Sequence, residues 1–169
     1  MKMFKKKFIA AFVMVFISAG ATCAQAPNRL DQFEAWGAYS YKSPQKTICY
    51  VLSMPLESLP TTVKHGDNFF LVTKRSHSPL SFEPQFMAGY PLKEGSRVTV
   101  TIGSKDFDFF TKDSSAWLAS PALEKQLVSA MRAGKNMKVS AFSKRGTHTT
   151  YIYSLKGVTA ALNAAQKCH

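Results

Sequence analysis

The sequence is poor in acidic residues and in histidine, and these shortages exclude several kinds of site. Its 169 residues include 10 Asp and Glu against 22 Lys and Arg, with only 4 His. The histidines are widely spaced and no H-x-x-x-H or C-x-x-C pair occurs, so we expect no metal and no cofactor. The G-x-S-x-G nucleophile elbow and a phosphate-cradling glycine loop are also absent. These absences favour a protein that is not an enzyme, with a small hydrolase using an unrecognised site as the alternative.

The chain also lacks an apolar run long enough to cross a bilayer as a helix, which needs about 20 residues. Near the N-terminus, four lysines precede an uncharged apolar run from Phe8 to Gly20, and small residues with Ala-Gln-Ala follow. This layout is typical of a Sec-type signal peptide. We therefore predict a leader over residues 1–24, with cleavage after Ala26, a lipoprotein cut before Cys23 and a retained anchor as alternatives.

Removal of the leader sets the properties of the mature protein. The four lysines of the first 24 residues leave with it, so 18 basic and 10 acidic residues remain, a net charge of +8. Residues 25–169 are few enough for a single domain and contain no repeat or linker-like tract. We expect a periplasmic or outer-membrane-associated protein with no transmembrane segment.

Two cysteines remain in the mature chain, Cys49 and Cys168. An even pair in an exported protein predicts a disulfide, with two separate thiols as the alternative. The bridge would close a loop of about 120 residues and contribute about 4–5 kcal/mol on chain-entropy arguments.

Most local signals indicate β-strands. Val98, Val100 and Ile102 alternate with threonines, and the chain turns at "GSKD", which predicts a hairpin over residues 97–112. Other β segments are Lys46 to Met54, Asn68 to Lys74, and a pair around "SKRGT" with Gly146 at the turn. About eight short strands with frequent turns favour a β-sandwich over a barrel.

Two short helices complete the prediction. Ser120 can cap a helix that begins at Pro121 and ends at Gly134, and alanine-rich "VTAALNAAQK" predicts a second helix near the C-terminus. The first helix has one apolar face, formed by Leu123, Leu127 and Met131. The predicted buried core comprises Trp36, Tyr50, Leu52, Phe70, Val98, Val100, Ile102, Leu127, Tyr151 and Leu155.

Asp106 and Asp108 are the closest regular pair of acids, on one face of a predicted strand. Paired carboxylates can perform acid–base catalysis. Because phenylalanines surround them, we interpret them as a solvated strand face.

The positive charge predicts an anionic partner. Two predicted turns place adjacent cations near a histidine: Lys74 and Arg75 before His77, and Lys144 and Arg145 before His148. Because the loops of a sandwich cluster at its two ends, we hypothesise that both turns share one end and form a patch. Its partners would be lipopolysaccharide, an acidic glycan or an acidic envelope or host protein, whereas export disfavours nucleic acid. A scattered surface charge on a purely structural envelope protein is the alternative.

Four stretches resemble the invasion-associated locus B family of exported Gram-negative proteins, in its short basic branch. The most specific is "SKRGTHTTYIYSLKGVTAAL", which contains a Ser-x-Arg-Gly-Thr turn and Ser-Leu-x-Gly-x-x-Ala-Ala-Leu. The others are "FEAWGAYSYKSPQKTICYVLS", "YPLKEGSRVTVTIGSKDFDFFTKDSSAWL" and "LVSAMRAGKNMKVSA". The resemblance covers residues from about Phe33 to Cys168.

This resemblance implies an immunoglobulin-like β-sandwich, export to the periplasm or outer membrane and, for some members, a link to host-cell invasion. It brings no catalytic residues. The segment from Ser143 to Gly157 is then a hairpin turn and strand that close the sandwich, and Gly157 lets the last helix begin.

Overall fold

The structure, a computed structural model, describes residues 26–75 and 81–169. The predicted leader and His77 lie outside the described residues. The elements in chain order are β1 (Asn28–Phe33), β2 (Trp36–Lys42), β3 (Thr47–Ser53), β4 (Glu57–Leu59), β5 (Phe69–Lys74), β6 (Phe82–Met87), β7 (Arg97–Ile102), β8 (Lys105–Lys112), β9 (Ser115–Leu118), α1 (Pro121–Ala133), β10 (Asn136–Phe142), β11 (His148–Ser154) and α2 (Val158–Lys167).

The strands form one antiparallel sheet in the order β1-β2-β3-β5-β6-β9-β8-β7-β10-β11-β4. Its two halves face each other across the core. The Phe70 ring on β5 lies 6.1 Å from the Phe109 ring on β8 and 5.9 Å from the Tyr153 ring on β11. The Trp36 indole N–H on β2 donates to the Ser154 carbonyl on β11 at 2.8 Å. The sheet therefore folds over into a sandwich, which confirms the predicted mainly β fold class with two short helices. The described residues contain eleven strands, more than the eight expected.

The hairpin predicted over residues 97–112 is confirmed as β7 and β8, with Val98, Val100 and Ile102 buried. Eight of the ten predicted core residues are buried, and two on β3 are not. Cys49 and Val51 point into the core, whereas Tyr50 and Leu52 lie half-buried on the outer face. The prediction was wrong for those two because both faces of β3 are apolar, so alternation alone cannot choose the inner face.

The first helix begins as predicted. The Ser120 hydroxyl accepts from the Leu123 N–H at 3.4 Å, and Pro121 follows the cap. Its buried face, however, comprises Glu124, Leu127, Val128 and Met131, and Leu123 is exposed. Leu127 and Met131 of the predicted apolar face are thus buried, whereas Leu123 lies at its exposed edge and the Glu124 carboxylate takes a place among the buried residues.

The C-terminal signature is explained by packing against the start of the domain. Gly157 has a φ of +86° and precedes α2, as predicted. A Cβ at this position would lie 2.0 Å from the Phe33 carbonyl oxygen, so only glycine fits. The predicted disulfide is present between Cys49 and Cys168, with their Cα atoms 6.0 Å apart. The first and last parts of the described chain are therefore joined by close packing and a covalent bond.

In the described ranges, no helix has the length and apolar character needed to span a membrane.

Candidate functional site

Lys74 and Arg75, at the end of β5, are held by contacts within the protein. The Arg75 guanidinium binds the Glu124 carboxylate on α1 through two nitrogens, with contacts of 2.6 and 3.3 Å, and lies 3.5 Å from Glu83 on β6. Glu124 is only 4% exposed. Hydrogen bonding to Glu124 is the main cause that raises the pKa of Arg75. The Lys74 ammonium donates to the Cys168 carbonyl at 2.8 Å. Both cations therefore connect the sheet to the two helices.

The turn that carries Lys144 and Arg145 has a different environment. Its backbone is fixed: the Lys144 N–H donates to the Pro91 carbonyl at 2.8 Å, and the Thr147 N–H donates to the Ser143 hydroxyl at 3.1 Å. The side chains of both cations are exposed. Within residues 26–75 and 81–169, neither forms an ion pair. These two charges are thus available to a partner.

The structure does not bring the two turns together. Five antiparallel pairings separate β5 from β10, so these strands run in opposite directions. Lys74 and Arg75 at the end of β5 therefore lie at the opposite end of the sheet from Lys144 and Arg145, which follow β10. The contacts agree, because Lys144 touches the segment that follows β6, whereas Lys74 lies beside the beginning of β6. The antiparallel strands β5 and β6 are each six residues long, which puts about 17 Å between the beginning and the end of β6. The hypothesised four-cation patch is therefore not formed.

His148 does not complete such a patch either. It lies on the outer face of β11, where its ring stacks on Phe142 at 4.8 Å and its Nε2 is 2.7 Å from the Ser140 hydroxyl. A serine–histidine pair is a feature of nucleophilic catalysis, but a third group normally orients the histidine. Among the described residues, no carboxylate is bonded to His148. The pair therefore lacks the third member of a catalytic triad.

The predicted interpretation of the acidic pair on β8 agrees with its contacts. Asp108 is exposed and accepts hydrogen bonds from Arg97 at 3.0 Å and Thr99 at 2.9 Å. Asp106 is likewise exposed. In the part of the chain that the structure describes, no cluster of three or more metal-binding side chains occurs.

The Lys144 turn forms one wall of a cleft of about 260 Å³, which we call the basic cleft. Its lining includes Lys64, Tyr90, Lys144, Arg145 and Thr147. Three of these side chains are cationic, and no described carboxylate lines the cleft. Sequence analysis missed Lys64 and Tyr90 because they come from the β4–β5 and β6–β7 connections, which only the fold places beside the turn. The adjacent lysine and histidine in "TTVKHGDN" were the one local signal.

A chain of hydrogen bonds continues from Tyr90 into the protein, and we call it the hydroxyl chain. It has five links. These join the Pro60 carbonyl to His65 Nε2 (2.9 Å), His65 Nδ1 to the Tyr151 hydroxyl (2.8 Å), Tyr151 to the Tyr90 hydroxyl (3.0 Å), Tyr90 to the Thr149 hydroxyl (2.6 Å), and Thr149 to the Ala141 carbonyl (3.2 Å).

The hydroxyl chain is largely shielded from water. Tyr151 is fully buried and Thr149 is 3% exposed, while Tyr90 and His65 are half-buried. Burial, followed by the hydrogen bond to Tyr90, raises the pKa of Tyr151 far above its usual value, so its hydroxyl keeps its proton. The basic cleft therefore has a wall whose polar groups are linked to a histidine.

Comparison with known proteins is consistent with this architecture. The family model described as "Invasion associated locus B (IalB) protein" matches residues 36–166. A crystal structure of invasion associated protein B from Bartonella henselae has a TM-score of 0.62 and 12% sequence identity, and the match covers 83% of this chain and 95% of that one. At that identity the structural match shows the fold alone. None of the curated proteins matches the chain.

Proposed function

Because the chain belongs to the invasion-associated locus B (IalB) family, we propose that it is an exported, non-enzymatic protein of the cell envelope that binds an anionic partner through the basic cleft. The observation that carries this proposal is the convergence of Lys64, Lys144 and Arg145 from two loops on one cleft without a lining carboxylate. A cation that has no internal counter-ion attracts anions from solution.

The shape and chemistry of the cleft favour phosphate, sulfate or carboxylate groups. Arg145 can bind such a group through two parallel hydrogen bonds, and the lysines add charge that is less directional. Tyr90 and Thr147 add polar side chains to the lining. Lipopolysaccharide, an acidic glycan and an acidic envelope or host protein all carry groups of this kind. The cleft lies on a backbone held by several hydrogen bonds, so little order has to be gained on binding.

Binding to lipopolysaccharide tests the proposal directly. We would replace Lys64, Lys144 and Arg145 with serine in the mature protein and measure binding at low and at physiological salt. The parent should bind more weakly as salt increases, since exposed charges are screened over about 8–10 Å. The triple variant should lose at least about tenfold in affinity at low salt. Parent-like binding by the triple variant would rule out the basic cleft. An acidic glycan and an envelope extract serve as parallel ligands.

A second triple variant controls for net charge. Lys105, Lys125 and Lys135 line open grooves between α1 and the β7–β8 hairpin. Their replacement with serine removes the same charge from another surface and should leave most of the binding intact. Equal losses in both variants would indicate attraction by overall charge, as expected for a purely structural protein. Cell fractionation tests export separately, and a cytoplasmic full-length product would contradict it.

A further inference from the structure

The number of hydrogens in the hydroxyl chain depends on the charge of His65. The hydroxyl chain ends at two backbone carbonyls, those of Pro60 and Ala141, which only accept hydrogen bonds. Its five links therefore need five hydrogens. The hydroxyls of Tyr151, Tyr90 and Thr149 supply three. A neutral imidazole supplies one more and leaves a link without a hydrogen, whereas a protonated imidazole supplies two and completes all five.

The direction of donation depends on which nitrogens of His65 carry a hydrogen. When His65 is protonated, its Nδ1–H donates to Tyr151, and each following hydroxyl donates away from His65 toward the Ala141 carbonyl. A neutral His65 carries its hydrogen on one of the two nitrogens. On Nδ1 it still donates to Tyr151, and the link to the Pro60 carbonyl loses its hydrogen; on Nε2 it donates to Pro60, and Nδ1 accepts from Tyr151, which then no longer donates to Tyr90. Because Tyr151 and Thr149 are buried, water does not readily replace a partner that is lost inside the hydroxyl chain, whereas the link to the Pro60 carbonyl is exposed.

The surroundings of His65 are favourable for anion binding once it is charged. Tyr151 on β11 and Tyr90 after β6 are the titratable groups bonded to it directly or through one hydroxyl. Lys64 precedes it, and Lys144 and Arg145 lie across the basic cleft.

The acids on neighbouring segments are Glu57 on β4 and Asp67 in the loop that follows His65, and both are exposed. Neither forms an ion pair with His65 in residues 26–75 and 81–169. A positive charge on His65 therefore adds to the field that an anion meets in the cleft.

We infer that His65 is a proton-dependent positioning residue of the basic cleft: its protonated ring completes the hydroxyl chain behind Tyr90 and adds a positive charge next to Lys64, outside the lining itself, so that the cleft binds anions more tightly at acidic than at alkaline pH. This inference rests on the proposed function and specifies its regulation. Histidine is the side chain that ordinarily changes its charge between pH 5 and 8. By linkage, a bound anion also favours the protonated ring.

Sulfate is a suitable probe because its charge is constant between pH 5.5 and 8.5. We would measure its affinity across this range by NMR chemical shifts of the Lys64 and Lys144 amides. A unit charge about 8 Å away in water changes the affinity for a monovalent anion about twofold, and for sulfate about fivefold. We therefore expect an approximately fivefold weaker affinity at pH 8.5 than at pH 5.5. A pH-independent affinity would overturn the inference while leaving the proposed function intact.

Two histidine variants locate the effect. His65→Gln keeps a donor and an acceptor but cannot be protonated, so it should bind at all pH values with the weak affinity that the parent has at pH 8.5. His148→Gln, which changes the histidine on the outer face of β11, should retain the pH profile of the parent. Loss of the profile in His148→Gln, or its persistence in His65→Gln, would contradict the role of His65.

The hydroxyl chain can also be tested without any ligand. When the pH of the free protein is varied, the ring signals of Tyr90 and Tyr151 should shift together with those of His65, because the charge and the hydrogens of the imidazole reach both hydroxyls through hydrogen bonds. Thr149→Val removes one hydroxyl and should shrink the shift at Tyr90. If sulfate fails to bind but these coupled shifts occur, the proposed function fails and the proton-dependent chain stands. A pH-dependent change in the His65 ring signals without a response at either tyrosine would overturn the coupling through the hydroxyl chain.

Discussion

The two turns with the dipeptide Lys-Arg have the same local chemistry and different environments. At Lys74 and Arg75, a buried carboxylate on α1 and a backbone carbonyl at the end of α2 bind the cations. At Lys144 and Arg145, the backbone is equally well fixed, but the described residues provide no carboxylate. A cationic dipeptide therefore becomes a structural clamp or a binding surface according to the groups that the fold places opposite it.

The same contrast extends to the two ends of the sandwich. The end with Lys74 is closed by both helix contacts and by the disulfide between Cys49 and Cys168. The end with Lys144 is open and contains the basic cleft and the hydroxyl chain. We expect changes at the first end to alter stability and changes at the second to alter binding.

Removal of the disulfide should have the largest effect on stability. Replacing Cys49 and Cys168 with serine should lower the free energy of unfolding by about 2–5 kcal/mol, because the unfolded chain regains the freedom of a long loop. Amide hydrogen exchange should accelerate first in the last turn of α2 and should change little at Lys144. Urea unfolding with and without reductant provides the comparison, and equal stability of the oxidised and reduced parent would contradict the prediction.

Removal of the arginine at the closed end should have the next largest effect. Arg75→Met leaves the buried Glu124 carboxylate without its main partner, which should cost about 2–4 kcal/mol, below the range for a fully buried pair because Arg75 is 39% exposed. Arg145→Met is the matched control and should change stability by no more than about 0.5 kcal/mol. Similar unfolding curves for the two variants would contradict the prediction that Arg75 stabilises the fold and Arg145 does not.

Replacing Lys74 or Lys144 should have smaller effects than the changes above, on stability in the first case and on binding in the second. Lys74→Ser removes the hydrogen bond to the Cys168 carbonyl and should cost about 0.5–1.5 kcal/mol without altering lipopolysaccharide binding. Lys144→Ser should leave the unfolding curve unchanged and reduce binding several-fold at low salt. A loss of binding in Lys74→Ser would show that the closed end also takes part in recognition.

Much of the fold could be predicted because its signals are local. Val98, Val100 and Ile102 alternate with polar residues, so the hairpin and its inner face follow from periodicity alone. Ser120 and Pro121 define a helix start by their own backbone chemistry. Where both faces of a strand are apolar, as around Tyr50, the inner face depends on tertiary packing.

The basic cleft could not be predicted because it depends on strand order. Whether two hairpin turns share an end depends on the number of antiparallel pairings between their strands, and the sequence does not reveal that number. Lys64 and Tyr90 are far from Lys144 along the chain and meet it only in the folded sheet. Likewise, no local pattern could show that Arg75 faces Glu124, since the helix face was expected to be apolar.

A single added carboxylate should make the open turn resemble the closed one. Lys64→Glu would place an acid in the basic cleft, within reach of Lys144 and Arg145. The new contacts are exposed, so we expect a gain of only about 0–1 kcal/mol, and screening should abolish it in 1 M salt. Lipopolysaccharide binding should nevertheless fall more than in Lys64→Gln, which removes the cation without adding an acid. Thermal unfolding and binding assays on both variants check this. Equal binding by Lys64→Glu and Lys64→Gln would mean that the acid does not neutralise Lys144 and Arg145. Counter-ions would then not explain why one Lys-Arg pair is structural and the other is available for binding.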